Sequence, residues 1–408
     1  MRILTSLLLS LLCLAASAAD WPRFRGPNGD GVSPEKGLNK DWKAKPPKEL
    51  WRIKLGDGGY SGPAVAAGKL FIIDKAGKED VVRAVDTASG KDLWSFKYKD
   101  DYDSGNPQWG NGRSTPTYDD GKVFTLGPSG MLHGLDAEKG TKLWNVDLKA
   151  EFKGRWRRET WGYTGAPIVD GNKLIVVAGG PGATVVALDK NTGKTIWKGG
   201  GDDQPGYATP VIATIEGKRQ YVVFTGMSVI GVDTENGALL WRVPWETSYD
   251  VNGADPVVIG NTVFVTSGYG KGCGLVTVSG GKAELTYSNK NMKSQFNAPV
   301  HIDGFLYGIS GQANSGGELV CLNPKDGSVA WKQPGFEAGG LIGVDGAVIA
   351  VSGNEGGDVV LAKANPKAFE ELGRFAMPKG GKQWTPPIVA DGKLYVRNQR
   401  ELLCFDLK

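Results

Sequence analysis

Residues 61–94 read SGPAVAAGKLFIIDKAGKEDVVRAVDTASGKDLW, and the order of features in this segment decides the fold. A proline opens an apolar run, a Gly-Lys turn leads into a second run, and a third run ends at Asp86 before Gly90 and Trp94. Short runs rich in Val, Ile and Phe between turn residues are typical of β-strands. The segment therefore predicts four short strands in succession.

The same order of features returns along the chain. The units open at Pro63, Pro116, Pro167, Pro210, Pro256, Pro299 and Pro387. Successive openings are separated by 53, 51, 43, 46, 43 and 88 residues, so the last interval holds two units. We expect the missing opening at residues 340–342, where the strand and its turn remain without the proline. Units of four strands and about 40–45 residues are typical of propeller blades, and the sequence predicts eight of them.

A constant spacing links the turn of each unit to its tryptophan. Asp86, Asp136, Asp189 and Asp233 each precede a Trp by eight residues. In such a turn the Asp side chain bonds backbone N–H groups, and a Gly supplies the positive φ. We expect each Trp to bury its ring between neighbouring blades, and Tyr287 to take the place of the Trp in the fifth unit.

The two ends of the repeat region predict how the ring closes. The last unit stops at Asp406 without a Gly-and-Trp strand, whereas residues 48–51 form such a strand with no unit before it. We expect the two to pair in one blade, because closure removes exposed sheet edges. The predicted fold is all-β: an eight-bladed β-propeller of four-stranded antiparallel blades over residues 47–408, closed by pairing of its N- and C-terminal strands.

The first residues predict export. Residues 1–19 read as a signal peptide, with Arg2 before an apolar run and small residues suited to cleavage, and residues 20–46 read as an N-terminal extended segment. We expect a monomeric periplasmic or extracellular protein without a transmembrane segment, since the apolar run is shorter than the ~20 residues that a spanning helix needs. The net charge of +4, without a basic run, predicts no nucleic-acid partner.

The pattern from Ala84 through Asp86 and Gly90 to Trp94 resembles the tryptophan-docking repeat of pyrroloquinoline quinone (PQQ) dehydrogenases and of the assembly lipoprotein BamB. The resemblance covers residues 47–408. In addition, residues 21–31 (WPRFRGPNGDG) look like the N-terminal tag of a branch of secreted bacterial PQQ-like propellers. The resemblance implies either a non-enzymatic scaffold, as for BamB, or a dehydrogenase that binds PQQ with calcium.

The chain departs from the dehydrogenase pattern in two ways. It has no adjacent cysteine pair, and no motif matches the calcium-binding or catalytic carboxylates of those enzymes. The three cysteines after the signal are an odd number, so disulfides do not form the framework. With His133 and His301 as the only histidines, we expect neither catalytic residues nor a metal site.

The predicted topology locates a candidate site. If the proline-led strands are innermost, the residues just before them surround one mouth of the central channel. The candidate ligand-binding residues there are Arg113, Trp161, Tyr163, Tyr207, Asp250, Asn252, Lys271, Asn297 and Trp384. Two long insertions, at residues 100–112 and 151–161, lead to the same face. The alternative is that these side chains plug the channel and brace one another.

These observations predict an exported binding or scaffold protein of the cell envelope that holds a protein or peptide and carries no cofactor. They leave open a PQQ-dependent or other quinone-dependent oxidoreductase that binds a small molecule at the central channel. A glycan binder is a third alternative, which rests on the exposed aromatic residues alone.

Overall fold

The computed structural model describes residues 19–100, 102, 112–157 and 161–408. Residues 1–18 of the predicted signal peptide, most of the first insertion and residues 158–160 lie outside the described residues. The described residues form 33 strands and one α-helix, α1 (Leu148–Phe152), and the strands make eight sheets. No helix among them is long and apolar enough to cross a membrane.

Two strands precede the first blade, and four strands follow for each of the first four blades. These strands are β1 (Val32–Ser33), β2 (Lys48–Lys54), β3 (Ala64–Ala66), β4 (Lys69–Ala76), β5 (Glu79–Asp86), β6 (Asp92–Lys99), β7 (Thr117–Asp119), β8 (Lys122–Leu126), β9 (Met131–Asp136), β10 (Lys142–Asp147), β11 (Ile168–Asp170), β12 (Lys173–Gly180), β13 (Ala183–Asp189), β14 (Thr195–Gly199), β15 (Val211–Ile215), β16 (Lys218–Phe224), β17 (Ser228–Asp233) and β18 (Leu239–Pro244).

The remaining strands build blades 5 to 8. They are β19 (Val257–Ile259), β20 (Thr262–Ser267), β21 (Gly272–Ser279), β22 (Lys282–Asn289), β23 (Val300–Ile302), β24 (Phe305–Gly311), β25 (Gly317–Leu322), β26 (Val329–Phe336), β27 (Gly340–Val344), β28 (Ala347–Val351), β29 (Asp358–Lys363), β30 (Glu371–Ala376), β31 (Ile388–Ala390), β32 (Lys393–Arg397) and β33 (Glu401–Asp406). The first strand of each blade lines the channel and the fourth lies at the rim.

The sheet topology confirms the predicted eight-bladed propeller. Strand β2 pairs antiparallel with β33, with Trp51 opposite Cys404, so the N-terminal strand closes the last blade as expected. Strand β27 opens the unit that lacks a proline. Seven sheets have four strands, and the seventh blade gains a fifth because β1 pairs parallel with β27.

Tryptophans of several blades dock onto the turn of the next blade, whereas the indole N–H of Trp241 donates to Gln220 of its own blade at 2.6 Å. The indole of Trp144, in blade 2, covers Gly193 in blade 3, where a Cβ atom would lie 2.7 Å from the ring. Its N–H donates to the carbonyl of Lys190 at 3.0 Å. In blade 5 the docking residue is Tyr287, whose hydroxyl donates to the carbonyl of Pro324 at 2.7 Å. Glycine is required in these turns because the ring occupies the space of a side chain.

The N-terminal segment enters the channel from the face of the Asp-Gly turns. The backbone of Trp21 exchanges two hydrogen bonds with Val65 in blade 1, both 2.8 Å long. The carbonyl of Pro22 accepts from Tyr118 in blade 2, and that of Gly31 accepts from Gly343 in blade 7. The segment thereby fills the channel below the predicted mouth, a placement that its composition did not indicate.

Candidate functional site at the channel mouth

The channel mouth forms where the chain enters the first strands of the blades. The residues just before these strands converge and enclose a cavity of about 150 Å³. Five of the nine predicted binding residues line this cavity: Arg113, Trp161, Tyr207, Asn297 and Trp384. The structure thus brings together residues from the segments that lead into blades 2, 3, 4, 6 and 8.

Three aromatic residues, Tyr60, Phe296 and Trp384, form one side of the mouth, the first wall. The rings of Tyr60 and Trp384 stack with their centroids 4.7 Å apart and 23° between their planes. The ring of Phe296 packs against Trp384 at 4.9 Å. Trp384 is only 7% exposed because the rings of Tyr60 and Phe296 pack against it. All three residues line the cavity.

Buried polar contacts hold the first wall in place. The guanidinium of Arg397 donates to the carbonyls of Gly59 and Ser61, at 2.8 and 2.9 Å, on either side of Tyr60. The hydroxyl of Thr385 donates to the carbonyl of Tyr60 at 2.9 Å. Burial lowers the pKa of Arg397 to about 10, so this arginine is still protonated at neutral pH and anchors the loop as a cation.

The opposite side of the mouth, the second wall, consists of Trp161, Tyr207, Tyr249 and Tyr269. The ring of Trp161 meets those of Tyr207 and Tyr249 edge to face, with centroids 6.0 and 6.5 Å apart. The rings of Tyr249 and Tyr269 lie 5.3 Å apart. Tyr249 is 52% exposed at φ +68°, so an aromatic ring is presented to solvent on a backbone conformation that side chains rarely adopt.

The hairpin between β20 and β21 aims Tyr269 at the cavity. Tyr269 lies at φ +52°, its N–H donates to the side chain of Gln312 at 2.8 Å, and its hydroxyl accepts from Gln295 at 3.1 Å. A Cβ atom at Gly268 would lie 2.9 Å from the Gln295 side chain. Glycine at position 268 is therefore explained by the close approach of the Gln295 side chain, which bonds this ring.

Polar side chains connect the walls to the blades. One guanidinium nitrogen of Arg113 donates to the carbonyl of Trp161 at 2.7 Å, and the guanidinium lies 5.6 Å from the ring centre of Tyr102. Burial lowers the pKa of Arg113 from its usual value, opposed by nearby tyrosines. The side-chain amide of Asn297 donates to the carbonyl of Trp384 at 2.8 Å. These contacts give the lining a defined shape.

The floor of the cavity comes from the N-terminal segment. Phe24 lines the cavity from below, although it lies 36 residues before Tyr60 in the chain. The adjacent Arg25 is 8% exposed and bonds to blade 6, so the position of Phe24 is set by a buried neighbour. The mouth is therefore closed below by a residue outside the repeats.

Two of the predicted residues are part of the interior. Tyr163 is 2% exposed, and its hydroxyl donates to the carbonyl of Ala178 at 2.9 Å. Asn252 is fully buried, its amide donates to the carbonyl of Thr225 at 2.8 Å, and its side-chain oxygen accepts from Ser267. Both side chains face away from the cavity and stabilise the connections between blades.

Two other predicted residues lie beside the mouth. The carboxylate of Asp250 is buried and accepts from Arg157 at 2.6 Å, which ties the second insertion to the segment that carries Tyr249. The ammonium of Lys271 lies 4.7 Å from the ring centre of Trp245, a cation–π contact at the edge of blade 5. Neither side chain lines the cavity.

The sequence prediction missed Phe24, Tyr60 and Tyr269 as lining residues, whereas it placed Phe296 at the mouth, where the structure has it. Tyr60 precedes the proline of the first unit by three residues. The sequence analysis placed the residues just before the first strands at the mouth, and the same criterion applies to Tyr60. No comparable signal marks Phe24, because its position depends on where the segment before the repeats docks.

The described lining does not fit calcium-held PQQ. No group of three or more His, Cys, Asp or Glu residues within the described ranges could hold a metal ion. The residues that line the cavity include hydroxyls, amides and one guanidinium but no carboxylate. Calcium requires six to eight oxygen ligands, among which carboxylates are usual. We therefore derive no reaction step through this cofactor.

The fold and the site define a β-propeller with tryptophan-docked blades and an aromatic channel mouth. The profile of the family described as outer membrane protein assembly factor BamB matches residues 77–333, and the chain belongs to this family. This result supports the resemblance deduced from the repeats. It does not decide between a scaffold and an enzyme, as the individual relatives illustrate.

Relatives of both kinds share sequence with the chain. It is 24% identical over 300 residues to the outer membrane protein assembly factor BamB of Burkholderia pseudomallei, which covers 61% of the chain and 70% of that protein. It is 27% identical over 267 residues to the quinoprotein alcohol dehydrogenase PedH of Pseudomonas putida, covering 59% of the chain but only 40% of PedH. The crystal structure of BamB from Moraxella catarrhalis superimposes with a TM-score of 0.62 at 18% identity, covering 89% of the chain and 98% of that structure, which shows a shared fold.

Proposed function

We propose that the protein is an exported, non-enzymatic binding protein of the cell envelope that holds a protein or peptide at the channel mouth. The observation that carries this proposal is the pair of aromatic walls around a cavity of about 150 Å³. An apolar cavity of about that volume accommodates benzene. The mouth therefore suits one aromatic or aliphatic side chain of a partner, inserted between the walls.

The composition of the walls supports a role in protein binding. Residues that contribute most to protein interfaces are enriched in Trp, Tyr and Arg and lie in pockets from which water is excluded. The mouth combines Trp161, Tyr207 and Arg113 with the exposed ring of Tyr249. Membership of the BamB family supports a site of action in the envelope, where an assembly factor meets its partners.

Site-directed photocrosslinking tests this proposal. A photoreactive phenylalanine at Tyr249 (52% exposed) should crosslink a partner protein in envelope fractions, because this ring stands at the open edge of the second wall. The same probe at Leu143 (47% exposed), on the outer edge of blade 2, is the matched control and should give no such product. Trp161→Ala in the Tyr249 probe background should reduce crosslinking at least tenfold, since truncated interface anchors cost about 2 kcal/mol or more.

Two results would contradict the proposal. The first is an identical set of products from the probes at Tyr249 and Leu143, which would mean that the mouth has no preference as an interface. The second is full crosslinking in the Trp161→Ala background with unchanged circular dichroism. Either result would separate the aromatic walls from partner binding.

The alternative function is a quinone-dependent oxidoreductase. The similarity to PedH favours it, and planar rings on both sides of the mouth suit a planar quinone as well as a side chain. The absence of a carboxylate from the described lining argues against calcium-held PQQ. Under our proposal, PQQ with calcium chloride should change neither the cofactor absorbance nor the melting temperature. A shift that Trp384→Phe abolishes would favour the enzyme instead.

A further inference from the structure

The half of the channel below Phe24 is filled by the chain itself. The first strands of the blades are mostly three residues long and turn one edge towards the axis, where their backbone groups require partners. The two ends of residues 19–33 supply such partners to blades 1 and 7 as an added strand would. Trp21 forms an antiparallel bridge with Val65, and Val32 pairs parallel with Gly343. Addition of a strand to an open edge is a common mode of peptide recognition.

Arg25 is the most deeply buried charged residue among residues 19–33, at 8% exposure. Its guanidinium donates to the carbonyls of Ala298 and Pro299 in blade 6, at 3.2 and 3.0 Å. It also donates to the carbonyls of Gly29 and Asp30 within the segment, at 3.3 and 2.7 Å. A buried cation is tolerated when its donors are matched in this way. The channel therefore presents carbonyl groups arranged for one arginine.

The shape of the segment is determined largely within the segment. The N–H groups of Gly26, Gly29 and Gly31 donate to carbonyls within residues 23–31, at 2.9 to 3.1 Å. The side chain of Arg23 donates to the carbonyls of Gly26 and Pro27. Ligands that hold their bound shape in advance lose less conformational entropy on binding. The segment has the properties of a preorganised peptide ligand.

The ring does not need the segment for its closure. Strand β2 begins at Lys48 and seals the eighth blade through its pairing with β33. The connection from the segment to β2 passes through Lys36 and Gly37, which are exposed, and a Cβ atom at Gly37 would meet nothing within 4 Å. The segment and the ring are thus joined by an accessible stretch of chain.

We propose that the lower channel is a peptide-binding site for an arginine-bearing peptide that folds into turns between two strand-like ends, occupied in cis by residues 19–33 of this chain. The site binds the peptide by strand addition on the edges of blades 1 and 7 and by the carbonyl pair of blade 6. Its ligand can leave and return while the ring remains folded. This site is distinct from the aromatic mouth, and the inference does not depend on the proposed function.

The test uses the full chain with a protease recognition sequence inserted between Lys36 and Gly37. Cleavage turns the segment into a separate peptide that remains bound but can exchange. We expect a fluorescently labelled peptide of residues 19–33 to replace it, measured by fluorescence anisotropy, with the ring unchanged in circular dichroism. An uncleaved sample is the control, because the tethered segment should exclude the labelled peptide.

Two variant peptides report on recognition. The peptide with Arg25→Ala should bind at least tenfold more weakly than the unchanged peptide, because it loses two charge-assisted hydrogen bonds to blade 6. The peptide with Arg23→Ala is the matched control and should lose less, since the side-chain bonds of Arg23 lie within the segment. An equal loss of affinity in the two variant peptides would overturn the proposal. So would absence of exchange after cleavage, or unfolding of the ring once the segment has left, which would make the segment part of the core.

Discussion

Two tryptophans at the same position of the repeat should respond differently to replacement by phenylalanine. Trp144 and Trp197 each follow their Asp by eight residues and are 8% and 9% exposed. Each lies over a glycine of the next blade, where a Cβ atom would approach the ring to 2.7 or 2.5 Å. The difference is in the indole N–H. That of Trp144 donates to a carbonyl at 3.0 Å, whereas that of Trp197 is buried without a hydrogen-bond partner among the described residues.

The magnitude of the difference follows from this hydrogen bond. Both substitutions remove the same part of the ring, so the loss of apolar contact is similar and largely cancels in the comparison. Trp144→Phe also removes a hydrogen bond with a net contribution of about 1 kcal/mol, and it leaves the carbonyl of Lys190 without this donor. Trp197→Phe instead removes a donor that is buried without a partner. We expect Trp144→Phe to be destabilised by about 1 kcal/mol more than Trp197→Phe.

Unfolding kinetics in urea measure this difference. If the docked ring has separated from the next blade in the transition state, a difference of about 1 kcal/mol makes Trp144→Phe unfold about fivefold faster than Trp197→Phe. Far-UV circular dichroism follows the sheets without relying on tryptophan fluorescence. Equal unfolding rates, or faster unfolding of Trp197→Phe, would refute the argument that the indole hydrogen bond distinguishes the two positions.

Two further predictions concern the turns and the channel. Gly140→Ala should lower the melting temperature more than Gly121→Ala. Both glycines have φ near +70°, but a Cβ atom at Gly140 would lie 2.4 Å from the ring of Trp94, whereas one at Gly121 would meet nothing within 4 Å. Equal shifts in melting temperature would contradict the docking argument. Burial raises the pKa of Asp255 to about 7, against the effect of Arg25, so this carboxyl stabilises the fold at low pH and its contribution is lost as the pH rises from about 4 to about 7. The stability of Asp255→Asn relative to wild type, from urea unfolding, should therefore rise across that range by up to about 1.4 kcal/mol per pH unit, and parallel profiles would contradict the assignment.

The repeat residues made the fold predictable from the sequence. The spacing from each turn to its aromatic docking residue recurs from unit to unit, so the units could be counted even where Tyr287 replaces a Trp. The closing strand was also predictable, since a fragment with Trp51 at one end complements a unit without one at the other. Features of this kind are local and periodic, so they can be recognised in the sequence without knowledge of the structure.

The site was only partly predictable, because its residues are not periodic. The position just before the first strand of a blade was enough to place Trp161 and Trp384 at the mouth. It failed for Tyr163 and Asn252, since neighbouring residues of an irregular segment turn to different sides and no period tells which one faces the cavity. The position of Phe24 could not be predicted, because it depends on docking between distant parts of the chain, which the local sequence pattern does not encode.

The two ends of the channel are built on different principles, and this difference bears on where function lies. At the end of the Asp-Gly turns, repeated residues dock blade on blade and the N-terminal segment covers the axis through backbone bonds, such as that between Gly31 and Gly343. At the mouth, the position three residues before the opening proline changes identity from blade to blade, from an arginine at residue 113 to a tryptophan at residue 384. The repeated contacts stabilise the ring from blade to blade, whereas the varied aromatic lining lies outside that pattern. The proposed function accounts for this lining as a binding surface, with the buried segment below as its floor.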